Sequence, residues 1–207
     1  MIENILFDLG GVLLRIDLQL TIQAFALLGW KEEDENESPE DRLKVFHNLE
    51  TGDSSDSQFR ENIRKMLPGK PTDHDIDCAW NVMLIDFLPG IADFLIKLKS
   101  SYHLYLLSNT NAIHLKRFRN IFFEEYGYPL DELFEKTFYS HEIGYRKPNA
   151  KAYLKVMEDA SIAASHTLFV DDLKVNTDAA SLLGMKVLQI EPGTLMQALP
   201  KYLGTNR

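Results

Sequence analysis

Short apolar runs alternate along the chain with longer stretches in which apolar residues recur at helical spacing. The runs predicted to be buried strands cover residues 5–7, 104–107, 137–139, 167–170 and 187–190. Alternation of strands and helices is typical of a parallel sheet with helices on both faces. The pattern therefore predicts an α/β fold.

The first two predicted strands lie far apart in the chain, whereas the later ones follow one another closely. The segment between them is predicted to be a helical insertion, because its apolar residues follow a period of 3.6. Its four helices are predicted over residues 18–28, 38–51, 57–67 and 72–84. Thr72 and Asp75 have the spacing of a capping box at the start of the fourth helix.

This insertion divides the chain into two predicted domains. We expect a core domain made of residues 1–16 and 86–207, and a helical cap domain made of residues 17–85. Helices inserted just after a candidate catalytic loop are typical of a lid that covers the site. The acidic run at 32–35 within the insertion is predicted to be a solvated loop.

Composition narrows the classes of function. The chain has 207 residues and a net charge of −9, so it lacks the basic surface that a nucleic-acid binder needs. The single cysteine, Cys78, excludes internal disulfides and zinc sites made of several cysteines. We see no signal-peptide pattern and no apolar stretch near the ~20 residues of a membrane-spanning helix. We expect a cytoplasmic monomer or weak homo-oligomer that binds no membrane.

Chemically active side chains follow the predicted strands. Asp8 comes directly after the first apolar run, and Gly10 and Gly11 follow it. The other residues of this kind are Ser108 and Asn109 after the second run, Lys147 after the third, and Asp171 and Asp172 after the fourth. Because the carboxyl ends of parallel strands meet at one edge of a sheet, we expect these side chains to converge.

Three carboxylates and a lysine at one edge predict both a cation and an anion in the site. The carboxylates would repel one another unless a divalent cation lay among them, and Mg²⁺ prefers such oxygen ligands. The lysine, the hydroxyl of Ser108 and nearby backbone amides suit a phosphate group. The set predicts a phosphoryl-transfer site with an aspartate nucleophile.

These elements resemble, in order and across the whole chain, the four motifs of the haloacid dehalogenase (HAD) superfamily. The matching segments are residues 7–13, 107–111, 146–148 and 169–172 with Asn176. The insertion resembles the small helical cap of this superfamily. The sequence is similar to the branch that contains sugar-1-phosphate phosphatases and the phosphatase domain of soluble epoxide hydrolases. The resemblance implies a Rossmann-like parallel sheet with an inserted four-helix cap.

The resemblance also implies how the site acts on substrate. Asp8 attacks phosphorus and forms an aspartyl phosphate, and Lys147 offsets the negative charge of the phosphate and the nucleophile. Ser108 and Asn109 bind phosphate oxygens. The implied activity is that of a Mg²⁺-dependent phosphatase, a phosphoric monoester hydrolase that acts on a small phosphorylated metabolite.

The metal ligands follow from the same resemblance. Asp8, the backbone carbonyl of Gly10 and Asp172 are implied to ligate Mg²⁺. Asp171 is implied to be either a further ligand or a partner that supports the ligands.

Gly10 departs from the pattern of the superfamily. Phosphatases of this kind usually carry a second aspartate there, which protonates the leaving group and then activates water. General acid–base help is typically worth ~10²–10⁴-fold in rate, and its absence costs least when the leaving group is already good. We therefore expect a preference for sugar 1-phosphates or acyl phosphates.

Two other functions remain open. A haloacid dehalogenase also uses an aspartate nucleophile but needs no metal, and the pair Asp171 and Asp172 weighs against it because carboxylates repel an anionic haloacid. The absence of an acid at Gly10 also leaves open a module that binds a phosphorylated ligand without turnover.

Several further residues have ordinary structural explanations. Asp17 is predicted either to cap the helix that begins at Leu18 or to contact a substrate hydroxyl. The basic residues from His114 to Arg119 are predicted to be solvated, and Trp80 is predicted to lie in the core or under the cap. Arg146 is predicted to support the site rather than to catalyse.

Overall fold

The computed structural model describes residues 1–31 and 39–205, and seven strands lie within these ranges. They are β1 (Asn4–Phe7), β2 (Leu14–Ile16), β3 (Leu84–Phe87), β4 (His103–Ser108), β5 (Lys136–Tyr139), β6 (Thr167–Asp171) and β7 (Lys186–Gln189). Five of them form one parallel sheet in the order β5-β4-β1-β6-β7. All five predicted strands are confirmed, each with its ends shifted by no more than a residue.

Ten α-helices lie in the described ranges. They are α1 (Leu18–Leu27), α2 (Pro39–Thr51), α3 (Asp56–Lys65), α4 (Asp73–Asn81), α5 (Ile91–Lys99), α6 (Ala112–Tyr126), α7 (Ser140–Ile143), α8 (Ala150–Ala160), α9 (Lys174–Leu182) and α10 (Leu195–Thr205). The predicted α/β fold is confirmed. No helix in this part of the chain is long and apolar enough to cross a membrane.

The central strand β1 is buried on both faces, which explains its continuous apolar sequence. Ile5 and Phe7 pack into the core on one face of the sheet, together with side chains of α5, α6 and α10. Leu6 points to the other face and joins the core that contains Tyr153 of α8 and Ala180 of α9. Burial of one such large side chain stabilises the fold by roughly 1.5–3 kcal/mol.

Helices α1–α4 enclose a further apolar core, to which Ile113 of α6 also contributes. Phe25, Leu49, Phe59 and Trp80, one from each helix, are buried together in it. Asp17 caps α1, since its Oδ1 accepts a hydrogen bond from the Gln19 N–H at 2.9 Å.

The predicted start of α4 is confirmed, because Thr72 and Asp75 form a reciprocal capping box. Its predicted end at Leu84 is wrong. The helix stops at Asn81, and Leu84 instead opens β3, which pairs with β2 in a separate antiparallel ribbon. The sequence prediction missed this ribbon because its strands are too short to show an alternating pattern.

The third helix begins at Asp56, one residue before the predicted Ser57, because Ser55 and Gln58 form a capping box there. Ser38, predicted to open the second helix, and the predicted solvated loop at 32–35 lie outside the described residues.

Candidate active site

The predicted site residues meet at the carboxyl edge of the sheet, where β1 lies between β4 and β6. Asp8 follows β1, Ser108 ends β4, and Asp171 ends β6. A cavity of about 360 Å³ opens at this edge. Among the residues that line it are Asp8, Gly10, Ser108, Asn109, Lys147 and Asp172. Asp171 lies behind this wall and is fully buried.

Lys147 joins two of the carboxylates. Its Nζ donates to Asp8 Oδ1 at 2.5 Å and to Asp171 Oδ2 at 2.8 Å, and the residue is only 1% exposed. A buried ammonium group needs such partners because losing its hydration is costly. One ammonium group and two carboxyl groups are thus buried in contact, and the group carries a net negative charge when both carboxyl groups are ionised.

Burial is the largest single influence on the pKa of each of Asp8, Lys147 and Asp172. It raises the pKa of Asp8 to about 7, and the negative charge of Asp171 acts in the same direction, whereas Lys147 opposes both. Burial alone would lower the pKa of Lys147, but the charges of Asp8 and Asp171 outweigh it and raise that pKa. Burial, followed by the charge of Asp171, also raises the pKa of Asp172.

Asp171 is held by hydrogen bonds on both oxygens. Its Oδ1 accepts from the Leu173 N–H at 2.8 Å and from Asn176 Nδ2 at 3.1 Å. Its Oδ2 accepts from Lys147 and from Asn176 Nδ2, the latter at 3.0 Å. Its neighbour Asp172 lines the cavity.

The backbone of Lys147 is fixed by the side chain of Asn109. The Lys147 N–H donates to Asn109 Oδ1 at 2.8 Å, and Asn109 Nδ2 donates to the Lys147 carbonyl at 2.9 Å. The amide predicted to bind phosphate is therefore turned towards the lysine loop. The Lys147-Pro148 bond is cis, and the helix that follows starts at Ala150 after its cap, so Pro148 lies outside the helix.

Helices α1, α2 and α4 supply the opposite wall of the cavity through Leu18, Glu50 and Trp80. Glu50 Oε2 lies 2.7 Å from Arg146 Nε, so α2 is in contact with the loop that carries Lys147. Sequence reasoning missed Glu50 and Trp80 as cavity residues because neither belongs to a motif. Arg146 was predicted to be a support, and this ion pair is consistent with that role.

His114 is buried, so the prediction that it is solvated with its basic neighbours is wrong. It occupies the inner face of α6, where its ring stacks on Trp80 with centroids 4.5 Å apart. Its Nε2 lies 3.0 Å from the Trp80 carbonyl, which accepts the hydrogen bond when this nitrogen carries the proton. Burial lowers the pKa of His114 to about 4, only partly offset by this bond, so the ring is neutral at pH 7.

The low pKa of His114 predicts acid sensitivity. The unfolded chain takes up a proton at this residue near pH 6.5, whereas the folded protein does so only near pH 4, so stability is lost as pH falls between these values. From pH 7.5 to 4.5, wild type should lose about 2–3 kcal/mol more unfolding free energy than His114→Gln in urea titrations. His103→Gln, at an exposed position, serves as the control. Parallel pH curves for wild type and His114→Gln would contradict the prediction.

The absence of a side chain at Gly11 leaves room for the Asp172 carboxylate. The φ of Gly11 is +78°, and a Cβ built on this residue would lie 2.5 Å from Asp172 Oδ2. The adjacent Gly10 has more room, since a Cβ there would first meet the end of the flexible Ile16 side chain at 3.1 Å.

The three carboxylates are close enough to share a cation. One oxygen from each of Asp8, Asp171 and Asp172 can be chosen so that all lie within 4.8 Å of one another. Oxygen donors of this kind are those that Mg²⁺ prefers. The missing Cβ of Gly11 is what lets the Asp172 carboxylate occupy this position, so the donor set and the space around it fit such an ion.

Comparison with known proteins gives the class of the protein. The chain matches the haloacid dehalogenase-like hydrolase family over residues 2–184 and belongs to it. It is 32% identical over 193 residues to D-ribitol-5-phosphate phosphatase from Bacteroides thetaiotaomicron, covering 93% of this chain and 94% of the relative. The prediction of the superfamily, with its Rossmann-like sheet, is confirmed.

Two solved structures are similar over nearly the whole chain. One is a HAD-family enzyme from Bacteroides thetaiotaomicron in complex with magnesium and inorganic phosphate, at 35% identity and a TM-score of 0.84, covering 93% of this chain and 96% of the other. The other is a predicted HAD-like hydrolase from Porphyromonas gingivalis, at 29% identity and a TM-score of 0.86, covering 100% and 98%. The chain thus shares its fold with a protein that holds Mg²⁺ and phosphate.

Proposed function

We propose that this protein is a cytoplasmic, Mg²⁺-dependent phosphatase that releases inorganic phosphate from a small phosphorylated metabolite. The observation that carries the proposal is the contact of the buried Lys147 with Asp8, at 2.5 Å, beside two further carboxylates at the edge of the sheet. Relatives named for a sugar-alcohol phosphate and for bound magnesium and phosphate support the same activity.

Asp8 is the nucleophile in this proposal. One of its carboxylate oxygens attacks phosphorus, the bond from phosphorus to the ester oxygen breaks, and the alcohol leaves with a proton taken from solvent. Water then attacks the aspartyl phosphate, which releases inorganic phosphate and restores the carboxylate. Lys147 offsets charge on Asp8 and on the phosphate, and the hydroxyl of Ser108 donates to a phosphate oxygen.

Asp8, Asp172 and the carbonyl of Gly10 would hold Mg²⁺. When bound, the ion neutralises the carboxylates and the phosphate. Asp171 is better suited to positioning than to ligation, because both its oxygens already accept hydrogen bonds and it does not line the cavity. Asn109 likewise positions Lys147 through its two hydrogen bonds to the backbone.

Helices α1–α4 act as a cap in this proposal, with the core domain in residues 1–16 and 86–207 and the cap in 17–85. Leu18, Glu50 and Trp80 from these helices line the same cavity as Asp8. Side chains of the helices therefore lie where the organic part of a substrate would be held. A closed cap also keeps bulk water away from the reacting phosphate.

Phosphate release from a panel of monoesters, with Mg²⁺ and with excess chelator, tests the proposed function. The panel pairs a hexose 1-phosphate with the 6-phosphate and includes ribitol 5-phosphate and an acyl phosphate. Release that needs Mg²⁺ is expected. Halide release from a haloacid in the presence of chelator would indicate a dehalogenase instead. A rise in melting temperature with ligand but no release would indicate a binding module.

Gly10 determines which leaving groups are tolerated. Without an acid there, wild type should favour the 1-phosphate over the 6-phosphate, because the anomeric oxygen leaves more readily. Gly10→Asp, whose side chain needs only a small shift of Ile16, should raise turnover of the 6-phosphate by about 10–100-fold and that of the 1-phosphate less. Gly10→Asn is the control of equal size that supplies no acid. Equal effects of both variants on both substrates would contradict this role.

Gly11→Ala should weaken Mg²⁺ binding, because the new methyl group would collide with the Asp172 carboxylate. We expect the Kd for Mg²⁺, measured by calorimetry, to rise by about 10-fold or more, on the scale of changes that disturb ligand orientation. Gly127→Ala is a matched control, since its φ of +80° carries the same backbone cost, but its Cβ position has no non-neighbouring atom of the described residues within 4 Å. Unchanged Mg²⁺ affinity in Gly11→Ala would mean that Asp172 is not a ligand.

A further inference from the structure

The cavity contains polar groups that the phosphate chemistry does not use. Glu50 and Arg146 lie on its wall, with their side chains 20% and 32% exposed, and Trp80 lies beside them with 6% of its surface exposed. Glu50 comes from α2 and Trp80 from α4, whereas Arg146 comes from the loop that carries Lys147. The three side chains thus meet where α1–α4 face the sheet.

These groups retain hydrogen-bonding capacity. The 2.7 Å contact between Arg146 Nε and Glu50 Oε2 falls outside hydrogen-bond geometry, and neither atom has another hydrogen-bond partner among the described residues. Trp80 Nε1 is also buried without a partner in that part of the chain. Buried polar atoms usually have partners, so the unpartnered indole N–H beside the Glu50–Arg146 ion pair indicates that a ligand in the cavity completes this group.

The indole of Trp80 is held in place by its surroundings. Its ring stacks on His114, and its backbone carbonyl accepts hydrogen bonds from Thr21 Oγ1 at 3.1 Å and from His114. A donor fixed in this way can select the position of an acceptor on the substrate.

We propose that Glu50, Arg146 and the Trp80 N–H recognise hydroxyl groups, and that they select phosphate esters of neutral polyhydroxylated alcohols. A hydroxyl can donate to the Glu50 carboxylate and accept from Arg146 or from the indole, so several hydroxyls satisfy all three groups. The charges of Glu50 and Arg146 cancel, which disfavours substrates with a second phosphate or a carboxylate. This inference rests on the proposed phosphatase function.

A cycle of enzyme variants and substrates tests the inference. Ribitol 5-phosphate and n-pentyl phosphate have the same chain length and differ in hydroxyl groups. Wild type should favour the polyol phosphate in kcat/KM by about 10-fold or more, because a site that is built for hydroxyls leaves buried groups unpaired without them. Glu50→Gln should lower kcat/KM for the polyol phosphate by about 10–100-fold, mainly through KM.

The same variant should change kcat/KM for n-pentyl phosphate by less than about threefold, so that the two effects are not additive. Arg146→Lys, which keeps the charge but not the forked geometry, should lower the same preference by a smaller factor. The inhibition constant of inorganic phosphate should stay unchanged in both variants. Asp77→Asn is the matched control, because it breaks an ion pair of α4 with Arg60 that does not line the cavity.

Equal losses of kcat/KM on both substrates in Glu50→Gln would overturn the inference. Glu50 and Arg146 would then stabilise the structure or transfer a proton rather than recognise hydroxyl groups. Lack of preference in wild type would overturn it too. Turnover of p-nitrophenyl phosphate separates these failures from failure of the proposed function, since that ester has no hydroxyl to recognise. If no ester is turned over, the proposed function and the inference fall together.

Discussion

Asp8→Asn should abolish phosphate release without weakening the fold. We expect kcat to fall by about 10⁴-fold or more, on the scale seen when a covalent nucleophile is removed. The melting temperature at pH 8 should stay the same or rise. Burial raises the pKa of the Asp8 carboxyl, so its ionised form opposes folding at this pH, and the asparagine removes that charge.

The charges around Asp8 explain why the variant should remain folded. Lys147 keeps its contact with Asp171 at 2.8 Å, and the asparagine oxygen can still accept from Lys147. The buried group then becomes neutral overall. Asp178→Asn, at an exposed position paired with Lys174, is the control and should leave turnover intact. Residual turnover near that of wild type would exclude Asp8 as the nucleophile, and a large drop in melting temperature would show that its charge supports the fold.

Lys147→Met should remove both activity and stability. It leaves Asp8 and Asp171 buried without their shared cation, and breaking a buried ion pair typically costs 3–5 kcal/mol. We therefore expect a loss of about 3–5 kcal/mol of unfolding free energy in urea titrations at pH 8. Phosphate release should fall by about 10³-fold or more, because a preorganised positive charge is lost from the transition state.

The destabilisation of Lys147→Met should shrink at low pH. Without the lysine, the main influence that opposes the effect of burial on the pKa of Asp8 is lost, so the folded protein holds a proton on this carboxyl group that the unfolded chain releases. Stability therefore falls as pH rises. Urea titrations at pH 5 and pH 8 should therefore differ more for this variant than for wild type. Lys151→Met, an exposed lysine over the Tyr145 ring, should change stability by less than about 0.5 kcal/mol at both pH values. A loss that is the same at both pH values would assign the effect to packing alone.

Sequence patterns predicted the sheet well because its central strands β4, β1 and β6 are buried and the strands alternate with helices. β1, for example, follows directly from one apolar run ahead of Asp8. The ribbon of β2 and β3 did not follow from the pattern, since Leu84 also fits the helical period of the segment before it. Whether Leu84 lies in a helix or in a strand depends on its pairing with β2, which is some seventy residues away along the chain. A local period in the sequence does not show such a distant partner.

The sequence predicted which residues meet at the site, but not how all of their side chains are oriented. Motifs at strand ends place Asp8, Lys147 and Asp172 at one edge, because a parallel sheet aligns those ends. They do not say which way an amide turns, and Asn109 proves to hold the Lys147 backbone. Glu50 was missed because its place on the cavity wall depends on how α2 packs, which no local pattern encodes.

The ribbon of β2 and β3 also bears on how this enzyme family diversifies. The chain leaves the sheet through β2 and returns through β3, and Leu14 lies beside Phe87 across the ribbon. Strand pairing therefore holds the two ends of the inserted segment next to each other, whatever lies between them. The helices beyond Ile16 can be lengthened, lost or exchanged without altering the distance between the two ends of the segment at the sheet. New substrate preferences can arise in this way while the residues around Asp8 stay in register.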